Sequence, residues 1–188
     1  GHAKELANQL GLTEYDGFIG IGGDGTLHEI INGMLSRPDG NKIPIGIIPG
    51  GSGNSYMHDL NLTDPLKAAK AIIQGNTKFL DTARVEVNHV VKYANNMIGW
   101  GLVTDVGKKA EHYRWMGTNR YTILSVMEVF HHKSRSAALI MDNKKIEDEF
   151  TFIIACNSMH VGKGMKMAPK ARLDDGLIDL IVIRADVS

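Results

Sequence analysis

Apolar positions along the first 76 residues follow two different periods. Residues 18–21 form an apolar run with the length of a buried strand, and apolar residues then recur at spacings of three and four from Leu27 to Met34. This pattern predicts a strand followed by a helix that begins at Thr26. A second apolar run at residues 43–48 predicts a second strand.

Two further helices are indicated by their ends. Residues 3–10 are typical of a short helix. Later in the chain, Thr63 or Asp64 can serve as an N-cap, Pro65 lies in the first helical turn, and Gly75 ends the helix. Strands that alternate with helices in this way predict a parallel α/β layer.

The pattern changes after Asn76, where short β-like runs replace the alternation. These runs are residues 79–87, 90–98, 137–141, 150–156 and 177–183. A helical insertion is expected at about residues 108–131. We therefore predict an α/β part at residues 1–78 and a mostly β part at residues 79–188.

Composition excludes several classes of protein. The 21 basic residues balance the 21 acidic residues, so the net charge gives no sign of a nucleic-acid partner. The single Cys156 cannot form an internal disulfide and fits a reducing compartment. No apolar run approaches the length of about 18 residues needed for a membrane span, and no signal peptide opens the chain. We therefore expect a cytoplasmic protein. The first residue is Gly1 rather than Met, which suggests a fragment.

A glycine turn follows the first predicted strand. It has the sequence Gly22-Gly23-Asp24-Gly25-Thr26 and runs into the predicted helix. Glycines let the backbone approach an anion, and a helix N-terminus offers free N–H groups, so this geometry favours phosphate. Asp24 would repel a phosphate unless it holds a metal ion or accepts a proton from an attacking hydroxyl. The alternative is a simple Asp-Gly hairpin turn.

A second glycine turn, Gly50-Gly51-Ser52-Gly53-Asn54, follows the second predicted strand. It offers backbone N–H donors and the Ser52 hydroxyl. The carboxyl ends of parallel strands meet at one edge of a sheet, which is where α/β proteins bind ligands. We therefore expect the two turns to lie together. A tight strand-to-helix turn without a ligand is the alternative.

The two turns, with Glu29, Asn32 and Gly33 after the first, resemble the catalytic domain of diacylglycerol kinase-type lipid kinases. The tract at residues 99–120 and the stretch at residues 168–179 are also similar to that family, the former to its sphingosine and ceramide kinase branch. The resemblance implies a parallel-sheet nucleotide domain followed by a sandwich-like β domain. It also implies that both ends of the family fold, the first strand and the carboxy-terminal return, are missing here.

The resemblance further implies a function and a set of site residues. The activity would be phosphorylation of a lipid hydroxyl by ATP with Mg²⁺, at a membrane surface without a spanning segment and with Asp24 as the proton acceptor. The metal ligands and the oligomeric state stay unknown. The implied nucleotide-binding residues are Gly22, Gly23, Gly25, Thr26, Gly50, Gly51, Ser52, Gly53, Asn54, Glu111, Arg114, Arg120 and Glu149, and the implied substrate residues are Asp105 and Asp148.

The resemblance to the sphingosine kinase branch makes a sphingoid base the first expectation for the substrate. Sphingosine kinases usually carry a second acid two positions after the one matched by Asp105, and Gly107 stands there in this chain. This departure keeps diacylglycerol and ceramide as alternatives. A catalytically incomplete nucleotide-binding fragment and a soluble-substrate kinase of the NAD kinase type are the competing functions.

Overall fold

The computed structural model describes residues 1–101 and 134–185. It divides into two compact units, which are described separately below. The first contains residues 1–96 and 157–178, and the second contains the described residues of 97–156 and 179–188. The first unit thus includes residues on both sides of the boundary expected near residue 78, which stays a prediction.

The described part of the chain contains both helices and strands. In chain order they are α1 (His2–Gln9), β1 (Phe18–Gly22), α2 (Asp24–Leu35), β2 (Ile45–Pro49), α3 (Ser55–Asp59), α4 (Pro65–Ile73), β3 (Ala83–Val87), β4 (Val90–Ala94), β5 (Met97–Gly101), β6 (Arg135–Met141), β7 (Lys144–Cys156), β8 (His160–Val161), β9 (Met165–Lys166) and β10 (Asp179–Arg184).

In the first unit, β1 and β2 pair in parallel, with Phe18 opposite Ile45 and Gly22 opposite Pro49. This pairing confirms the predicted parallel α/β layer. The helix α4 also forms as predicted, and its N-cap is Asp64, whose Oδ1 accepts a hydrogen bond of 2.9 Å from Lys67 N.

Helix α2 buries the apolar face that its spacing predicts. Leu27, Ile30, Ile31 and Met34 are all buried. The helix begins at Asp24, two residues before the predicted start, because Gly23 in an extended conformation is its N-cap. Asp24 is therefore the first helical residue and not a loop residue.

Two adjacent residues of α2 join the helix to its neighbours. The side-chain amide of Asn32 makes two hydrogen bonds to the backbone of Tyr93. Its Nδ2 donates to Tyr93 O (2.7 Å), and its Oδ1 accepts from Tyr93 N (2.8 Å). Gly33 packs against α1, and a Cβ built on it would lie 2.8 Å from the Ala7 Cβ. These contacts attach α2 to β4 and to α1.

The described part of the second unit is an antiparallel sheet in the order β10-β7-β5, with β6 also paired to β7. This confirms the mostly β character of the second half. The predicted helical insertion at residues 108–131 lies outside the described residues. No helix of the described residues is long and apolar enough to span a membrane.

All five strands predicted after Asn76 differ from the structure in their bounds, since β6 already begins at Arg135 and β7 at Lys144. The run at residues 90–98 is two strands, β4 and β5, because β4 pairs with β3 and β5 pairs with β7. The run at residues 79–87 becomes a strand only from Ala83, and Phe79 is 99% exposed. The last run begins at Asp179 and not at residue 177. Apolar composition alone therefore placed these boundaries wrongly.

We predict that Gly33→Ala destabilises the protein although alanine is the better helix former. Helix propensity favours the substitution by about 1 kcal/mol. However, the new Cβ would collide with the Lys4 carbonyl oxygen and crowd Ala7, and such overpacking costs about 1–3 kcal/mol. Urea unfolding should show a net loss of stability. Gly11→Ala is the control, because its Cβ would have no neighbour within 4 Å. A more stable Gly33→Ala variant would contradict the packing argument.

Candidate active site

The two glycine turns touch each other at the carboxyl edge of the β1–β2 pair. Gly50 N donates to Gly22 O at 2.8 Å, which extends the strand pairing into the turns. A Cβ built on Gly51 would lie 2.5 Å from the Gly23 Cα, and one built on Gly23 would lie 3.0 Å from the Gly51 Cα. Only glycine fits at Gly51, and a side chain at Gly23 would be crowded, so the expected meeting of the turns is confirmed.

The first turn presents the N-terminus of α2 to the edge of the sheet. The bond that closes the first helical turn runs from Leu27 N to Gly23 O (3.1 Å). The N–H groups of Asp24, Gly25 and Thr26 precede this bond, and Gly25 is exposed. A helix start of this kind favours an anion, because its N–H groups and its dipole both point outward.

The second turn is closed by the side chain of Asn54. Its Nδ2 donates to Gly51 O at 2.8 Å, and its Oδ1 accepts from Gly51 N at 3.0 Å. Asn54 itself has a left-handed backbone with φ 50°. Gly51 and Asn54 therefore shape the turn, whereas Ser52 is exposed and its hydroxyl faces no partner among the residues described.

The carboxylate of Asp24 connects the first turn to the start of α3. Its Oδ2 accepts from Ser55 N at 2.9 Å, and its Oδ1 accepts from Tyr56 N at 3.0 Å. A third donor, Asn96 Nδ2, lies 3.3 Å from Oδ1. Because the residue joins a strand to a helix, the turn is not the simple Asp-Gly hairpin that was the alternative.

A metal ion fits this carboxylate poorly. Three N–H donors already take most of its roughly four lone-pair sites, so little room remains for a cation. The described residues contain no group of three or more His, Cys, Asp or Glu side chains that could hold a metal ion. Of the two roles considered for Asp24, proton acceptance agrees better with these contacts.

A short hairpin, β8–β9, packs beside the second turn and was missed by sequence reasoning. The Ser55 hydroxyl donates to Gly162 O at 3.4 Å. The buried Asp59 carboxylate accepts from Met159 N at 2.8 Å and lies 3.1 Å from His160 Nδ1. The two strands have two residues each, which is too short for periodicity to reveal. Gly162 and Gly164 could have indicated the turn of this hairpin from the sequence.

Burial and nearby acids affect the phenol of Tyr56, the residue whose N–H binds Asp24. Burial raises the pKa of Tyr56, and the charge of Asp59 raises it further. Tyr56 therefore stays protonated at neutral pH and is not a candidate base.

A group of buried amides and a hydroxyl lies next to Asp24 and was also missed. Asn95 and Asn157 are each 2% exposed and Ser158 is 0% exposed. Asn157 N donates to Asn96 O (2.8 Å), and Asn157 Nδ2 donates to Asn95 O (2.8 Å). The sequence feature that could have indicated this group is the two polar pairs Asn95-Asn96 and Asn157-Ser158, each of which follows β-like residues.

The remaining predicted residues belong to the second unit or lie outside the described residues. Asp148 and Glu149 lie on β7 in the second unit, where Ser134 Oγ donates to Glu149 Oε2 at 2.6 Å. Asp148 Oδ2 lies 3.3 Å from Arg184 Nε. The other four residues, Asp105, Glu111, Arg114 and Arg120, lie outside the described residues.

Two glycine turns at the edge of a parallel strand pair, one of them opening a helix, are typical of phosphate-binding α/β proteins. Comparison with known families makes this class specific. Residues 1–85 match the diacylglycerol kinase catalytic domain, and residues 96–187 match the YegS C-terminal NAD kinase beta sandwich-like domain. The chain belongs to the diacylglycerol kinase-type lipid kinases, near the sphingosine kinase branch, as the sequence motifs indicated.

Individual relatives agree with this assignment. Sphingosine kinase 1 of Arabidopsis thaliana is 36% identical over 68% of this chain and 28% of its own length. Diacylglycerol kinase of Bacillus subtilis is 28% identical over 98% of this chain and 60% of its own length. A crystal structure of a candidate diacylglycerol kinase from Bacillus anthracis str. Sterne matches with a TM-score of 0.78 at 26% identity, over 98% of this chain and 61% of that one. The chain thus spans less than two thirds of each of these relatives.

We predict that the side chain of Asn54 stabilises the second turn through its two bonds to Gly51. Asn54→Gly keeps a residue that adopts the left-handed conformation and should cost about 2 kcal/mol for two hydrogen bonds. Asn54→Ala should cost about 1–2 kcal/mol more, because alanine is strained there. Both are measured by urea unfolding.

Asn61 provides the matched control for Asn54. It has a similar backbone, with φ 55°, and its side chain makes no hydrogen bond to a described residue. Asn61→Gly should therefore be nearly neutral. Equal losses for Asn54→Gly and Asn61→Gly would show that the bonds to Gly51 contribute nothing.

Proposed function

We propose that this protein is an ATP-dependent lipid kinase that transfers the γ-phosphate to the hydroxyl of a sphingoid base or a related sphingolipid. The observation that carries the proposal is the contact between the two glycine turns, with the Asp24 carboxylate bound between them. Because the chain belongs to the lipid kinase family, we assign phosphoryl transfer to this site.

The glycine turns would hold the phosphates of ATP. Phosphoryl transfer depends mainly on positioning and on stabilising the charge of the transferred group. The N–H groups of Gly25 and Thr26 and the exposed Ser52 hydroxyl are suited to this role. Gly22, Gly23, Gly50 and Gly51 let the backbone come close to the phosphates, and Mg²⁺ bound with ATP would supply positive charge.

Asp24 would accept the proton of the lipid hydroxyl. A carboxylate has about four lone-pair sites, and three donors approach Asp24. Two of them bind Oδ1 and one binds Oδ2, so Oδ2 has capacity for a further donor. Gly53 faces this oxygen, since a Cβ built on Gly53 would lie 3.4 Å from Oδ2. The absence of a side chain at Gly53 leaves Oδ2 accessible to a hydroxyl.

Further residues are proposed from the family motifs alone. Arg114 and Arg120 would hold the phosphates as forked, permanently charged donors. Glu111 and Glu149 would lie near the nucleotide, and Asp105 and Asp148 would face the substrate. The segment at residues 108–131, which mixes apolar and basic side chains, would dock on a membrane surface. The protein would then be cytoplasmic and would associate peripherally with membranes.

The proposal also includes the class of lipid that is phosphorylated. The named relatives include sphingosine kinases and diacylglycerol kinases. The similarity to sphingosine kinases makes a sphingoid base the first substrate that we propose. Gly107 removes a carboxylate that could pair with the ammonium of a sphingoid base, and for this reason diacylglycerol and ceramide stay as alternatives.

We predict that the full-length protein phosphorylates lipid in mixed micelles. The measurement is transfer of labelled phosphate from ATP to sphingosine, ceramide or diacylglycerol, with NAD as a soluble acceptor in a parallel reaction. Label should enter a lipid, with sphingosine the preferred acceptor. Transfer to NAD alone would indicate a soluble-substrate kinase, and ATP binding without any transfer would indicate a nucleotide-binding protein without catalysis. Either result would overturn the proposal.

We predict that Asp24→Asn lowers turnover by about 10²–10⁴-fold, the usual contribution of general base catalysis. The dissociation constant for ATP should change little. The melting temperature should fall as well, because an amide NH₂ would face one of the backbone donors, Ser55 N or Tyr56 N. Loss of ATP binding in parallel with turnover would mean that Asp24 only maintains the turns. Near-normal turnover would also contradict its role as the base.

A further inference from the structure

Asn96 is the one side chain that binds the carboxylate of Asp24 among the described residues, since the other two donors are backbone N–H groups. Its Nδ2 lies 3.3 Å from Asp24 Oδ1. Because an ionised carboxylate can only accept, the amide must turn its NH₂ group toward Asp24. The orientation of Asn96 is therefore set by Asp24.

The other end of the same amide is unsatisfied. Asn96 Oδ1 is buried and has no hydrogen-bond partner in the described part of the chain. A buried acceptor without a partner costs stability, and such an atom in a native protein needs an explanation. Asn95 Nδ2, Asn157 Oδ1 and Ser158 Oγ are also buried without a partner among the described residues, so the bond to Asp24 accounts for the orientation of the Asn96 amide and not for its unpaired oxygen.

The backbone around Asn96 is fixed on both sides. Asn96 O accepts from Asn157 N at 2.8 Å. The side chain of Asn157 in turn donates to Asn95 O (2.8 Å) and to Asp81 O (3.0 Å). Asn96 is thus held by a buried hydrogen-bonded group and can position another side chain.

We propose that Asn96 is a positioning residue that fixes the Asp24 carboxylate for proton transfer. This inference rests on the proposed function, in which Asp24 is the base. With Asn96 and Tyr56 N both on Oδ1, the carboxylate cannot rotate freely, and Oδ2 keeps its direction toward the open side at Gly53. Without Asn96, Oδ1 retains a single donor.

The test compares three variants of the full-length protein in the lipid kinase assay. Asn96→Ala should lower kcat by about tenfold or more, the equivalent of one hydrogen bond to a charged group. The KM for ATP should stay within about twofold, because the glycine turns keep their own contacts. The melting temperature should change little, since the unpaired Oδ1 is removed with the side chain. Asn96→Asp should lower kcat further, because it places an oxygen and a like charge against Asp24.

Asn95→Ala is the matched control. Asn95 is adjacent and is 2% exposed, but its side chain does not contact Asp24. This variant should keep kcat within about twofold even if its melting temperature falls. If Asn96→Ala does not fold, Asn96→Ser tests the same point with a smaller polar side chain.

A double-mutant cycle separates this proposal from the proposed function. In an Asp24→Ala background, Asn96→Ala should cause no further loss of kcat, because the two residues act as a unit. A full additional loss in that background, an unchanged kcat in folded Asn96→Ala, or an equal loss in Asn95→Ala would each overturn the positioning role. If Asp24→Ala itself keeps normal turnover, the assignment of the base fails, and the proposal for Asn96 fails with it.

Discussion

The candidate site depends on a carboxylate that is bound by backbone N–H groups. Asp24 is the first residue of α2, and its two oxygens accept from the first two residues of α3. These bonds join the end of β1 to the end of β2 across the edge of the sheet. They also satisfy a half-buried charge without a cation, since amide donors stabilise an ionised carboxylate. No lysine or arginine is needed for that purpose, so basic side chains would stay available for the phosphates of the proposed ATP substrate.

This bond imposes a steric requirement on the turns. The carboxylate binds Ser55 N where the two turns are in contact, and the contact brings Gly23 and Gly51 together with no room for a Cβ on Gly51. Close backbone approach thus requires glycine at Gly51 and favours it at Gly23, and neither residue has a positive φ. Asn54, by contrast, has a positive φ and closes the turn with its side chain. The second turn therefore combines close backbone approach at Gly51 with closure by the Asn54 side chain.

Part of this arrangement could be predicted from the sequence. The period of the apolar residues in α2, the N-cap Asp64 and the two turns are local features, and each is present. The partners of Asp24 could not be predicted, because Ser55, Tyr56 and Asn96 are 31, 32 and 72 residues away in sequence. The helix α3 has five residues, too few to show a period. The split between β4 and β5 depends on which strands they pair with, which composition does not encode.

Asp24 has both a structural role, through its bonds to the start of α3, and a proposed role in proton transfer. In its proposed role as the base, Asp24 would be held in place by two backbone donors before substrate binds, which lowers the reorganisation needed for proton transfer. The same bonds mean that its removal also disturbs the second turn. Substituting a residue that binds only the carboxylate, and not the turns, separates the effect on proton transfer from the effect on the second turn. Asn96 meets this condition, because its side chain bonds to Asp24 and its backbone bonds to Asn157. The chemical contribution of Asp24 can therefore be measured through Asn96 while both glycine turns keep their contacts.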